Sequence, residues 1–240
     1  MQAVLPEAFI ERIKPYILDA ELDLYEAYSV TSTNDWAWEH YEQAQKYQVV
    51  RPSLFLAETQ ENGRGTLGRK WHSPAGSGIY GSILFPVHHK SFSTRRVAHG
   101  FVPMYTSIAG LATWIVLTSI YPSLSPILRI RGVNDLYAKH AKVGGVLVET
   151  RMSAEGVLKA VVTGVGINLH ESPDLKIVDE RHCPMSIEAL LPPDERENMM
   201  SRKQTAYLIG KCVVGLCQML NEGLMLEYES VIECIRTTGF

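Results

Sequence analysis

Cysteine is scarce in this chain and poorly placed for cross-linking. The four present, Cys183, Cys212, Cys217 and Cys234, all fall in the C-terminal quarter, and no two stand at CxxC spacing. This argues against zinc clusters and disulfide frameworks and fits reduced thiols in a cytoplasmic protein. Excess positive charge is missing too. With 23 basic against 26 acidic side chains the formal charge is −3, so no global field draws the chain to nucleic acid or anionic lipid. The N-terminal MQAVLPEAFIERIKPY carries Glu7 and Glu11 and no long apolar run, unlike a secretory signal or a mitochondrial presequence. One charge-free stretch, residues 101–120, is long enough to span a bilayer. Its Pro103, Gly110 and hydroxyl residues Thr106, Ser107, Thr113, Thr118 and Ser119, with no basic flank after it, favour a buried central helix and no membrane. Several familiar motifs are absent: GxGxxG between strand and helix, GxxxxGK[ST], GxSxG, HExxH and a nucleophilic Cys–His pattern. The pair His88–His89 lacks further partners at metal-ligand spacing.

What is present is an ordinary globular composition, 46% hydrophobic and 20% charged over 240 residues, enough for one large or two small domains with a sizeable core. A helix is expected over residues 6–19, interrupted near Pro15, then a strand over 24–30. A helix follows to about Tyr47, with Thr31 to Asp35 offering N-cap side chains. Strands are expected at 53–58 and 79–86, flanking a glycine-rich segment at 59–78. A helix at 97–120 leads to a strand at 127–131 and a connector at 132–142. Two valine-rich strands, 143–150 and 157–169, flank a polar turn and suggest a hairpin. A loop at 170–185, a short helix near Ile187 and a longer one from about Ser201 to Glu222 complete the chain. Strands interspersed with segregated helices indicate an α+β fold with a mixed or antiparallel sheet.

Residues 63–69, Gly-Arg-Gly-Thr-Leu-Gly-Arg, carry the strongest chemical signal. Glycines let backbone N–H groups turn inward as an anion-binding nest, and Arg64 can grip a carboxylate or phosphate with two parallel bonds. Trp71 could stack on a base or fill the core. Lys142, entering a strand with Gly144 and Gly145, could neutralise charge at a phosphoryl centre or be a solvated strand-end lysine. Asn134–Asp135 could bind a ligand or metal, or make an Asx turn. Ser32-Thr33-Asn34 reads as a helix N-cap whose free N–H groups can also meet a ligand. Asn168 places a polar side chain at the tip of a buried strand.

The order of these segments is more telling than any one alone. Ser32-Thr33-Asn34; Gln60 with GRGTLGRKWHSP at 63–74; Asn134-Asp135-Leu136-Tyr137; KVGGVLVE at 142–149; and GVGINL at 164–169 together resemble the catalytic domain of the biotin protein ligases, or biotin–[acetyl-CoA-carboxylase] ligases. The likeness covers residues 25–225, behind an N-terminal helical extension at 1–24 and ahead of a C-terminal remnant at 226–240. No helix-turn-helix region precedes it, so the chain resembles the non-repressor class, and the C-terminal SH3-like domain common in the family is expected to be absent.

The resemblance implies a two-step reaction. Biotin and ATP with Mg2+ give biotinyl-5′-AMP, and a lysine of a biotin carboxyl carrier domain then takes the biotin. It implies Lys142 and Arg64 as catalytic cations. Biotin-binding positions would be Ser32, Thr33, Asn34, Gln60, Gly63, Arg64, Gly65, Thr66, Lys142 and Gly145. ATP would meet Arg64, Arg69, Trp71, Asn134, Asp135, Lys142 and Asn168, with Asp135 near the metal. A homodimer is a further expectation. Two departures stand out: Arg131-Gly132-Val133 where the family usually has Lys-Trp-Pro, and Thr66 where many members have a second arginine. A lipoate ligase would share the fold, but its Arg-Arg-x-Gly-Gly-Gly-x-Val run is missing here. A ligase-like binding protein with weak or no turnover is the other alternative.

Overall fold

Alternation of side chains along the strands decides this architecture. In a computed structural model, which describes residues 5, 7–87, 97–132, 134–171 and 183–224, seven strands form one sheet. They are β1 (Asp23–Val30), β2 (Ser53–Gln60), β3 (Gly78–Pro86), β4 (Leu128–Arg131), β5 (Asp135–Ala138), β6 (Ala141–Met152) and β7 (Leu158–Asn168). Their spatial order is β1-β2-β3-β7-β6-β5-β4. β1 pairs parallel to β2 and every other pair is antiparallel, so the sheet is mixed, as expected of the α+β class.

Along β3 and β7 the residues Ile79, Ile83, Phe85, Val161, Val165 and Ile167 point to one face and join the large core. That face is covered by α3 (Val97–Ile120) and α5 (Arg202–Asn221), with α1 (Glu7–Asp19) packed on α5. Ile108, Leu111, Ala112 and Leu117 of α3 have no exposed surface. Residues 103–120 have the length and apolar character of a membrane span, yet here they pack as the centre of this layer. Phe9 and Ile13 of α1 are buried in the same core, and the α1 backbone at Tyr16 sits where a Cβ on Gly215 of α5 would be 2.9 Å away. Cys212 and Cys217 lie inside it as free thiols, Cys183 is exposed and free, and burial pushes the Cys212 thiol up to about 12.

The opposite face is covered only in part. There α2 (Thr33–Lys46) packs Ala37, Trp38 and Tyr41 on Phe55, Leu84, Ala160 and Val162. The remainder of that face is open and holds the site described below. A short α4 (Pro193–Glu197) precedes α5, whose N-terminus carries a reciprocal capping box between Ser201 and Gln204.

Two expectations need correction. The connector at 132–142 contains a true strand, β5, whose four residues are too few to show a period; it gains its structure from pairing with β4 and β6. Pro15 does not interrupt α1, which runs through it, because apolar burial on α5 outweighs the lost hydrogen bond of a single proline turn. His88–His89, Val133, Cys234 and the expected remnant at 226–240 lie outside the described residues.

Candidate functional site

On the half-covered face, β7 places Gly164, Gly166 and Asn168 where neighbouring strands would otherwise project side chains. Two residues from elsewhere fill the gap. A Cβ on Gly164 would lie 2.6 Å from Asn34 Oδ1, and one on Gly166 would lie 2.5 Å from the Trp71 ring. These glycines are therefore needed for close approach, Asn34 arriving from the start of α2 and Trp71 from the glycine-rich loop. Between them remains a cavity of about 300 Å³, the lower end of the range for a small-molecule site. Every position named from the sequence lines it except Gly63. Gly63 sits at the loop base, its carbonyl accepting from Trp71 N–H, and a Cβ there would strike the Trp71 carbonyl at 2.5 Å.

One end of the cavity is polar and closed. Ser32, Thr33 and Asn34 are all about 3% exposed. Ser32 is the N-cap of α2 but makes no side-chain cap bond. Instead Gln60 Oε1, from β2, accepts from Thr33 N–H at 2.9 Å and from the Thr33 hydroxyl at 3.1 Å. A neighbouring strand thus caps the helix, where the sequence pointed to the helix's own residues. Gln60 Nε2 in turn donates to Ser73 Oγ at 2.9 Å. Ser82 of β3, fully buried, touches both Thr33 and Asn34. Ser82 was missed from the sequence, although a lone serine within the apolar run IYGSILFP is a visible signal.

The other end is cationic. Lys142 Nζ donates to Asp135 Oδ1 at 2.7 Å and stands 5.6 Å over the Trp71 ring. Its side chain is 16% exposed. Its main chain is held on both sides, N–H to Cys183 O at 2.8 Å and O from Met185 N–H at 2.9 Å. Asn134 Nδ2 donates to the same Asp135 oxygen at 2.9 Å, so Asn134–Asp135 is part of a side-chain cluster and not an isolated Asx turn. Asn168 Nδ2 reaches the carbonyls of Lys142 and Met185 at 3.4 and 3.3 Å, tying the tip of β7 to this segment.

The glycine-rich loop folds as a small hairpin. Arg64 and Lys70 form a bridge, Gly65 N–H donates to Arg69 O, and Trp71 N–H donates to Gly63 O. The cradle of inward N–H groups expected here is thus partly closed by the loop's own bonds. At its tip Leu67 and Gly68 have φ of 58° and 72°, and Leu67 is almost fully exposed. Thr66 Oγ1 accepts from Arg69 at 2.8 Å and faces Asn134 Nδ2 at 3.4 Å, linking the loop to β5.

Arg64 is placed differently from Lys142. Its guanidinium contacts the cavity wall but is bonded to Asp35 Oδ2 at 2.6 Å and Glu149 Oε1 at 3.2 Å. Glu149 is fixed in turn by Trp38 Nε1–H at 2.8 Å. The hydrogen bond to Asp35, more than the Glu149 contacts, holds the guanidinium even more firmly protonated than usual, against the effect of its burial. From the sequence Asp35 stands only among the N-cap candidates and Glu149 only as the last residue of KVGGVLVE, neither as a partner of Arg64.

Among the described residues no group of three His, Cys, Asp or Glu side chains could hold a metal ion. Among the described residues Asp135 is the one carboxylate lining the cavity, with one oxygen already paired with Lys142.

Comparisons with known proteins bear on the family and the fold. A family model described as the biotin/lipoate A/B protein ligase family matches residues 26–168. The bifunctional ligase/repressor BirA of Escherichia coli strain K12 is 33% identical over 115 residues, 48% of this chain and 32% of that protein. A biotin–[acetyl-CoA-carboxylase] ligase of Paracoccus denitrificans is 30% identical over 129 residues, 54% and 49% of the two chains. The matched region thus spans between about a third and a half of these relatives. Among solved structures, Leishmania major biotin protein ligase in complex with biotin superposes with a TM-score of 0.67 at 21% identity, over 91% of this chain and 82% of that one. The Aquifex aeolicus enzyme in complex with biotin and ATP gives 0.64 at 24%, over 89% and 78%. At these identities the structural likeness is one of fold.

Proposed function

Because this chain belongs to the biotin/lipoate A/B protein ligase family, we propose that it activates biotin with ATP and passes it to a lysine of a carrier domain. The observation that carries this reading is a single cavity with a buried polar end at Thr33, Asn34 and Gln60 and a cationic end at Lys142. Biotin has the same two ends: a cyclic urea rich in donors and acceptors, and a carboxylate. A dithiolane ring has no donors or acceptors to match this polar end, whereas a cyclic urea has both. This favours biotin over lipoate. The names of the relatives point the same way.

In the first step a biotin carboxylate oxygen attacks the α-phosphorus of ATP, an O–P bond forms and pyrophosphate leaves. Two anions must meet, and the Lys142 ammonium reduces their repulsion from a fixed position. Trp71 offers the adenine a ring face beside Lys142, and Asn134, Asp135, Arg69 and Asn168 surround the phosphate side. A magnesium ion arriving with the triphosphate needs few protein ligands, and Asp135 is the carboxylate that fits it; bound, it would shield phosphate charge. In the second step the carrier's neutral lysine amine attacks the acyl carbon, an amide forms and AMP leaves. Arg64, held by Asp35 and Glu149, keeps further N–H donors for a ligand anion and also serves as a strut that fixes the loop.

ATP–pyrophosphate exchange with biotin, and biotin transfer to an isolated carrier domain, test the reading. Lys142→Ala should lower both by about 10²–10³. Exchange supported by lipoate and not by biotin, or turnover indifferent to Lys142→Ala, overturns it.

A further inference from the structure

Four side chains close a ring at the base of the glycine-rich loop, and of these Arg64 alone reaches the cavity. Arg64 Nη1 donates to Asp35 Oδ2 at 2.6 Å and Arg64 Nη2 to Glu149 Oε1 at 3.2 Å. The second Glu149 oxygen, Oε2, accepts from Trp38 Nε1–H at 2.8 Å. Asp35 and Trp38 stand three residues apart on one face of α2, so the ring returns to the helix where it began. We infer that Trp38 is a positioning residue: its indole N–H sets where Glu149 sits and, through Glu149, where Arg64 holds the loop. The inference rests on the ligase reading and adds to it the source of the Arg64 position.

Only one member of the ring is anchored by packing. The side chains of Arg64, Asp35 and Glu149 are 38%, 39% and 29% exposed, whereas Trp38 is 5% exposed and packs with Tyr41, Leu84 and Val162. Its ring meets Tyr41 edge-on at 5.7 Å. Arg151, two residues beyond Glu149 on the same face of β6, lies over the indole with its guanidinium carbon 4.5 Å from the ring centre. The ring is thus fixed from several sides. Exposed ion pairs alone leave long side chains free among their rotamers. An N–H aimed from a fixed ring at an ionised carboxylate removes that freedom from Glu149, which then meets Arg64 with its other oxygen. Arg64 is therefore presented to the cavity before a ligand arrives, and its ordering does not weaken binding.

The test is a double-mutant cycle between Trp38→Phe and Arg64→Ala in the full chain. It is read by biotin-dependent ATP–pyrophosphate exchange and by trypsin cleavage after Arg69 and Lys70 without ligand, with melting temperature as a control for folding. Trp38→Phe keeps a ring in the cluster and removes the N–H. It should raise KM for biotin and ATP about fivefold with kcat within about twofold, and speed cleavage of the loop about fivefold. In the Arg64→Ala background, where the ring is already open, the same substitution should change either readout by less than about twofold. Equal effects in the two backgrounds, or none in either, overturn the inference and leave the ligase reading standing. Replacing the Trp38 indole by benzothiophene, which has sulfur in place of the N–H, should reproduce Trp38→Phe; a loop cleaved at the wild-type rate in that protein overturns the inference. Should Trp38→Phe fail to fold, the benzothiophene protein carries the cycle instead. Exchange supported by lipoate and not by biotin overturns the biotin reading, while the cleavage cycle still decides the role of Trp38.

Discussion

The two faces of the central sheet are made by the same strands and behave as different materials. Under α3 and α5 the alternating residues are Ile79, Ile83, Val161, Val165 and Ile167, packed dry. Half a step along the same strands stand Ser82, Gly164, Gly166 and Asn168, which leave a hollow for side chains from α2 and the loop. Stability resides in the first set and recognition in the second. A strand thus carries both without conflict, since successive side chains never share a face.

The sharpest way to break this comparison is to add one methyl group on the open face and to remove a large side chain from the dry one. Gly166→Ala should drive Trp71 from its seat and lower ATP affinity more than tenfold with the melting temperature little changed. Its mirror, Ile83→Ala in the dry layer, should cost about 2–5 kcal/mol in denaturant unfolding with KM values for biotin and ATP near wild type. If the two variants exchanged phenotypes, the division between the faces would be wrong.

A smaller effect is expected at the rim, where Arg64 bridges Asp35 and Glu149. These side chains are about a third exposed, so the pairs contribute little to stability, on the order of 0.2–1 kcal/mol. Their effect should fall on the loop. Asp35→Asn combined with Glu149→Gln should release Arg64 and shift KM for the anionic substrates several-fold, with unfolding nearly unaltered. Stopped-flow nucleotide binding reads this directly, and an unchanged KM would show that Arg64 stays in place without its carboxylates.

The smallest expected effect lies under α2. His40 packs against the rings of Tyr25 and Phe55, and desolvation lowers its pKa despite the opposing charge of Asp23. The folded chain therefore resists protonation that the unfolded chain accepts. Stability from this group is present above the ordinary histidine pKa of about 6.5 and fades as pH falls below it. Chemical denaturation at pH 7.5 and 5.5 should show a modest loss that His40→Phe reduces. An equal loss in both proteins would place the sensitive group elsewhere.

Much of this was readable in advance because it rests on local pattern. The valine-rich strands, the long apolar helix and the glycine–arginine loop each follow from a period or a composition that needs no partner. The positions gathered round the cavity were named from the order of short motifs, and all but Gly63 line it. What escaped were elements that exist only through contact. β5 has four residues and is a strand because β4 and β6 flank it. The cap of α2 comes from Gln60, 27 positions away from Thr33. Ser82 and Asp35 gave no sign of their contacts in the sequence, nor did Glu149 at the end of KVGGVLVE, and their partners lie 29 to 111 positions off along the chain.

The chain's own order of residues determined which side chains face each way along every strand, since alternation is a property of extended backbone alone. It also determined that the second face would be short of bulk, because Gly164 and Gly166 fall on it. Only the folded arrangement decided what occupies that space, and that Arg64 is paired with Asp35 and Glu149 while Lys142 is paired with Asp135. Those outcomes depend on distances between segments far apart in sequence, and hydrogen bonds are made or lost within a few tenths of an ångström.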